Sequence, residues 1–301
     1  VTISRVGFIG LGNMGWPMAA HLADAGFALT VSDTAPGVVD RFVAEHPAAA
    51  AATGRESFAE AEALILMLPT SDIVEDVLEG GQVAGALAPG CLVIDMSSSE
   101  PLRTRRLAGR LHAAGLPMLD APVSGGVRGA QAASLSVLVG GSQDDLTRAT
   151  PLLSAMAATI IHVGDIGSGH AAKALNNLVS AATMSVTVEA LDIAESFGIS
   201  ADTMTRVLNS SSGRSNTSEN KVAQFMISGR FDSGFSLALM AKDVGLAIGL
   251  AQALGRPAEV AGHVADQWRR IARQVSPATD HTQLYTLLGA TQPEPPAGAR
   301  R

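Results

Sequence analysis

The sequence predicts an α/β protein in two parts: an N-terminal doubly wound, mostly parallel sheet covered by helices, then an all-α C-terminal domain, the two joined by one long helix. Three observations carry the prediction. Short apolar runs alternate with helix-compatible stretches over residues 5–162, an unbroken stretch without proline or glycine follows at 170–197, and the remainder reads as helix. The expected limits are 1–164 for the sheet domain, 165–290 for the helical domain and 291–301 for a disordered tail.

The apolar runs lie at residues 6–9, 28–32, 63–68, 92–95, 118–121, 135–139 and 160–163. A strand buried on both faces has no polar side to show, so continuous apolar runs fit a parallel sheet between helices better than a half-solvated antiparallel one. From His170 to Phe197 the supply of Ala, Leu, Val and Met is unbroken. That stretch reads as one helix of roughly 40 Å, too apolar to be a surface helix. Gly198 offers a left-handed stop and Ser200 a cap for the next helix. Residues 201–209, 218–228, 237–254 and 259–274 are helix-like, and the proline-rich segment 291–301 is expected to be disordered. No internal repeat interrupts this order.

Bulk properties narrow the function. A length of 301 residues exceeds most single hydrophobic cores and supports two domains. Hydrophobic residues make up 47% of the chain, yet no run reaches the ~20 uncharged apolar residues needed to span a bilayer. The chain is expected to be soluble, with no membrane partner. No basic leader or cleavage site precedes residues 6–9, so a cytoplasmic location is expected. The net charge of −7, from 21 Lys and Arg against 28 Asp and Glu, argues against nucleic acid. The single cysteine, Cys91, begins an apolar stretch, which excludes an internal disulfide and points to burial rather than reactivity. The seven histidines show no metal-ligand spacing, and no metal site is expected.

The run at 6–9 leads straight into Gly10-Leu11-Gly12-Asn13-Met14-Gly15, with a helix-compatible stretch after it. In this strand–turn–helix setting the first glycine permits the tight turn. The second lets backbone approach a pyrophosphate, the third lets helix pack on strand, and the helix N-terminus offers N–H groups to the anion. A glycine-rich turn without a ligand is the plainer reading. Asp33, at the end of the second apolar run, favours the ligand, because a carboxylate there can accept from adenosine ribose hydroxyls. It would repel a 2′-phosphate, and Thr34-Ala35 offer no arginine to receive one, so NAD is favoured over NADP. Leu68-Pro69 and Ser97-Ser98 follow later strands and should face the same crevice.

A second loop, Asp120-Ala121-Pro122-Val123-Ser124-Gly125-Gly126, exposes backbone N–H groups beside one hydroxyl, a combination suited to a carboxylate as well as to simple loop flexibility. Lys173 is the only charged side chain between Asp165 and Glu189. It falls on the first turns of the long helix, with Asn177 four residues on and so on the same face. In an apolar cleft near a helix N-terminus, desolvation and the helix dipole disfavour an ammonium, while a bound carboxylate favours it, which suits proton exchange. His170 either borders such a pocket or simply packs.

These motifs, together with Gly167-Ser168-Gly169-His170-Ala171-Ala172-Lys173-Ala174-Leu175-Asn176-Asn177 and Lys242-Asp243, resemble the β-hydroxyacid dehydrogenase family over about residues 5–288. The resemblance implies an N-terminal Rossmann domain, a helical substrate domain, and a homodimer or homotetramer built through the helical domains. It implies Lys173 as catalytic acid or base, with Ser124, Gly125, Gly126 and Asn177 holding a small carboxylate substrate. Leu68, Pro69, Ser98 and Lys242 would contact the cofactor, beside Gly10, Leu11, Gly12, Asn13, Met14, Gly15 and Asp33. Residues 209–215 look more like the 3-hydroxyisobutyrate branch than the tartronate semialdehyde branch. His21 stands where the family usually has asparagine, and Ala133 replaces a usual glycine.

The expected reaction is NAD-dependent, reversible oxidation of a short 3-hydroxy acid to its semialdehyde. Tartronate semialdehyde reduction, serine oxidation and imine reduction are alternatives within the scaffold. A non-catalytic NAD-binding scaffold is the alternative of another class, and absence of turnover with any short hydroxy acid would mark it.

Overall fold

The computed structural model describes residues 3–289, so the expected tail lies outside the described residues. The chain divides into two compact units, Val1–Ala174 and Leu175–Arg301. By compactness the division falls inside the long helix, whose first turns pack with the sheet.

In the first unit the order is β1 (Arg5–Ile9), α1 (Gly15–Asp24), β2 (Ala28–Ser32), α2 (Val38–Glu45), β3 (Ala50–Ala51), β4 (Ala63–Leu66), α3 (Ser71–Glu75), α4 (Val83–Ala86), β5 (Leu92–Asp95) and α5 (Pro101–Ala113). Then follow β6 (Met118–Asp120), β7 (Val123–Ser124), α6 (Gly126–Gln131), β8 (Leu135–Gly140), α7 (Gln143–Met156), β9 (Ala157–Gly164) and the start of α8 (Ser168–Phe197). The sheet runs β3-β2-β1-β4-β5-β6-β8-β7, with β9 on β8. From β3 to β6 every pairing is parallel. The direction of winding reverses between β1 and β4, which opens a crevice at their carboxyl ends, the place where ligands bind in such sheets.

Alternation explains the buried strands. In β4, Ala63 and Ile65 join one core with Phe8, Met18 and Phe42, while Leu64 and Leu66 join a second with Phe58, Leu78 and Leu107. Both faces are apolar because successive side chains point to opposite sides and helices cover each. Cys91 belongs to the second core, where burial pushes its thiol up to about 12.

The sheet is mostly parallel, as expected, and at its far end β8 is antiparallel to β6 and β7. The run at 160–163 differs from expectation: it is not a fully buried strand, since Ile161 is 47% exposed on β9. Strands β3 and β7 have two residues each, too short to show a period.

The second unit holds the rest of α8, then α9 (Ala201–Asn209), α10 (Asn216–Asn220), α11 (Leu237–Ala253), α12 (Glu259–Ala272) and α13 (Leu284–Gly289). The helix expected at 218–228 is instead α10 followed by a π-turn at Val222–Ile227. Its core gathers Ala181, Met184, Val188 and Leu191 of α8 with Val222, Met240, Trp268 and Leu284. Helix α8 is not wholly buried as its composition suggested. Leu175, Val179, Val186, Ile193 and Phe197 form an exposed apolar face, Phe197 at 83%. Among the described residues no helix is long and apolar enough to cross a membrane.

Candidate active site

The glycine-rich loop is built as its spacing requires. Gly10 has φ +103°, and a side chain there would collide with the Met67 carbonyl; one on Gly15 would strike the Gly10 carbonyl. Gly12 faces open space. No side chain caps α1 at Met14; within its first turn Trp16 N donates to Gly12 O at 2.9 Å and Pro17 carries no N–H. Gly12 and Asn13 are exposed, whereas Leu11 and Gly15 are buried. A dinucleotide fits this arrangement: two glycines are demanded by the protein's own backbone, and the third keeps clear the surface a pyrophosphate approaches. Asp33 closes the loop from β2, its Oδ2 accepting from Leu11 N at 2.6 Å and its Oδ1 from Ala35 N at 2.7 Å.

Across the crevice, Leu68 N donates to Ser97 Oγ at 2.9 Å, tying the end of β4 to the end of β5. Ser97 is therefore a buried structural tie, while Ser98 beside it and Leu68 are part-exposed and Pro69 is exposed. Asp95 holds the same turn, accepting from Ser97 N and Ser99 Oγ.

The second loop brings the chemistry together. Gly125 and Gly126 have φ values of +126° and +62°, which free them to turn the chain from β7 into α6. Ser124, at the end of β7, receives a hydrogen bond from Lys173 Nζ at 3.2 Å. Lys173 is only 8% exposed. Residues 49 positions apart, picked out separately from the sequence, thus share one hydrogen bond.

The start of α8 is anchored by Asp120 and by the His170 ring. Asp120 accepts from Gly167 N at 2.6 Å and from His170 N at 2.7 Å, satisfying two amides at the start of a helix. The His170 ring, 1% exposed, reaches Thr104 Oγ1 through Nδ1 at 2.9 Å and Ser97 O through Nε2 at 3.0 Å. Asp95 and Asp120 carboxylates stand 3.8 and 3.7 Å from its nitrogens.

In the helical unit Asn177 is buried and donates from Nδ2 to Asp243 Oδ2 at 2.6 Å. The Lys242 ammonium stands 3.5 Å from the other Asp243 oxygen, an ion-pair distance without hydrogen-bond geometry. Asp243 is a site residue that spacing does not reveal; its sequence signal is a carboxylate following Lys242 on an apolar helix.

The two departures from the family pattern both border α6. His21 Nε2 donates to the Ala130 and Gln131 carbonyls at 3.0 and 3.1 Å, the work of a side-chain amide. Ala133 adopts φ +50°, the left-handed conformation that suits glycine. No cluster of His, Cys, Asp or Glu able to hold a metal ion occurs among the described residues.

A dinucleotide loop on a doubly wound sheet, with a buried lysine hydrogen-bonded to a serine beside two glycines, defines a nicotinamide-dependent oxidoreductase. Comparison with known proteins agrees. Residues 5–164 match the NAD-binding domain family of 6-phosphogluconate dehydrogenase, and 167–288 match the family described as NAD-binding of NADP-dependent 3-hydroxyisobutyrate dehydrogenase. A probable 3-hydroxyisobutyrate dehydrogenase of Mycobacterium tuberculosis is 37% identical over 95% of this chain and 98% of its own. The NAD-dependent L-serine dehydrogenase of Pseudomonas aeruginosa is 35% identical over 96% and 99%. The solved 3-hydroxyisobutyrate dehydrogenase of Mycobacterium tuberculosis with L-serine superposes with a TM-score of 0.89 at 36% identity, covering 95% of this chain and 99% of that one. The chain belongs to the β-hydroxyacid dehydrogenase family, NAD-binding oxidoreductases that act on CH–OH groups.

Proposed function

We propose that this enzyme reversibly oxidises a short 3-hydroxy acid of the 3-hydroxyisobutyrate kind to its semialdehyde, with Lys173 as general acid and base. The observation that carries the reading is the buried Lys173 ammonium on Ser124. While its oxygen accepts from Lys173, the Ser124 hydroxyl keeps its own proton to donate to a substrate carboxylate, with the Gly125 and Gly126 amides beside it. In oxidation the neutral Lys173 amine accepts the substrate hydroxyl proton; in reduction the ammonium returns it. NAD, when bound, would supply the hydride acceptor for the oxidation. Gly10, Leu11, Gly12, Asn13, Met14 and Gly15 would hold its pyrophosphate, with Leu68, Pro69, Ser98 and Lys242 as further cofactor contacts. Asp33 favours NAD over NADP, since a carboxylate repels a 2′-phosphate. Asn177 is assigned to the substrate, its carboxamide oriented by Asp243.

L-Serine is the second candidate substrate, supported by the serine dehydrogenase relative and by the solved relative with L-serine. A panel of 3-hydroxyisobutyrate, L-serine and glycerate with NAD and NADP, read as kcat/KM ratios, decides between them. Lys173→Ala tests the chemistry. Turnover should fall by about 10²–10⁴-fold, and a loss under about tenfold overturns the role.

The exposed apolar face of α8 supports a homodimer or homotetramer, because contiguous apolar surface of this kind marks association. A cytoplasmic setting, where NAD is free and thiols stay reduced, completes the reading.

A further inference from the structure

We propose that His170 is a positioning residue for the proton-transfer step. Its imidazole fixes the first turn of α8, and with it Lys173, against the strand ends at Ser97 and Leu68. The inference rests on the role of Lys173 given above.

The start of α8 is held at two kinds of point. Asp120 takes the Gly167 and His170 amides on its two oxygens, which fixes the height of the helix along its axis. A carboxylate on the axis does little to stop the helix turning. The His170 ring does, because it projects sideways to Ser97 O on one nitrogen and to Thr104 Oγ1 of α5 on the other. Ser97 O can only accept, so Nε2 carries a proton. Lys173 lies three residues on, hence on the same face of the helix, and any rotation that breaks the His170 contacts also swings the amine away from Ser124. There is no slack along the axis either: a side chain on Gly169 would collide with the Leu138 carbonyl.

The same ring reaches the cofactor side. Ser97, whose carbonyl accepts from His170 Nε2, accepts on its hydroxyl from Leu68 N. Lys173 and the proposed platform of Leu68 and Ser98 are therefore referenced to each other through one buried imidazole. Proton transfer requires donor and acceptor near hydrogen-bond distance, and a misplacement of about 1 Å costs on the order of 10²-fold. An apolar side chain of similar volume would fill the site but make neither bond.

The test compares wild type with His170→Leu, His170→Gln and Thr104→Val, using NAD and the better of 3-hydroxyisobutyrate and L-serine. His170→Leu should lower kcat about 10–100-fold and raise the D₂O solvent isotope effect on kcat, while KM for the acid and the calorimetric Kd for NAD move less than about threefold. His170→Gln should recover most of kcat, because a carboxamide N–H can reach Ser97 O. Thr104→Val, which keeps the histidine, should show the same isotope signature with a smaller drop, and it decides the matter if His170→Leu does not fold. Unchanged kcat and isotope effect in a folded His170→Leu, or in Thr104→Val alone should the former not fold, overturn the proposal. So does a Gln variant no better than Leu. Lys173→Ala run alongside separates the two levels. Retained turnover there removes the underlying reading, whereas lost turnover there with a normal His170→Leu removes this proposal only.

Discussion

The Leu11 amide donates to the Asp33 carboxylate at 2.6 Å, so the residue placed to meet a ribose also shapes the loop placed to meet the pyrophosphate. Asp33→Ala should therefore weaken NAD in two ways, by loss of ribose contacts and by loosening of the loop. Hydrogen bonds to charged groups contribute about 1.5–3 kcal/mol, which corresponds to roughly 10–100-fold in Kd. NADP should lose less, because the repelling charge goes with the bonds. Calorimetric titration of both dinucleotides checks this, and an equal loss for the two would contradict the account of cofactor choice.

Ala133 stands at φ +50°, where a Cβ is strained by about 1–2 kcal/mol. Ala133→Gly should relieve the strain, offset in part by the greater freedom of glycine in the unfolded chain. A net gain of about 0.5–1 kcal/mol is expected, seen as a small rise in melting temperature with kcat unchanged. Ala133→Val should move stability the other way.

Half-buried Lys221 and buried His281 form a pair in the helical unit, Nζ to Nε2 at 3.1 Å, with Asp280 beside them. Burial pushes Lys221 down to about 8. Burial first, then the Lys221 charge, holds His281 below the ordinary imidazole range. Both groups bind protons more weakly when folded than when unfolded, so both make stability rise with pH. For His281 the contribution is complete above the unfolded value of about 6.5 and is lost as pH falls through its folded value. For Lys221 the rise spans the interval from about 8 to about 10.5. Urea unfolding measured across pH should show both slopes; Lys221→Met should abolish the alkaline one, and its persistence would contradict the assignment.

Ile193 is 67% exposed on the apolar face of α8. Ile193→Glu should leave the monomer folded and shift sedimentation toward smaller species. A wild-type chain that sediments as a monomer would remove the oligomer from the proposed function.

What the sequence disclosed, it disclosed through local rules. Gly10, Gly12 and Gly15 lie in one turn, Asp33 ends the next strand, and Lys173 and Asn177 are one helical turn apart, so each is readable from spacing. Ser124 was readable as part of a loop suited to a carboxylate and Lys173 as a lone charge on an apolar helix, but the bond between them was not. Partners that meet across the fold left no such trace. Asp120 and His170 are 50 residues apart, His170 and Ser97 are 73, and Asn177 and Asp243 are 66. No periodicity links such positions, so an aspartate in a loop motif gave no sign that it caps a distant helix. The apolar composition of α8 misled for a different reason: it supplies two faces, and composition does not say that one of them lies open to solvent.

Cys91 has a consequence for anyone wishing to watch this enzyme move. It is the only native thiol, lies under 4% exposed, and burial keeps it protonated far above neutral pH. Maleimide dyes should pass it by, so the natural chain is already a silent background. A cysteine introduced at any exposed position, one in each unit for instance, would take a fluorophore cleanly and let the distance between reporters be followed as dinucleotide and acid are added.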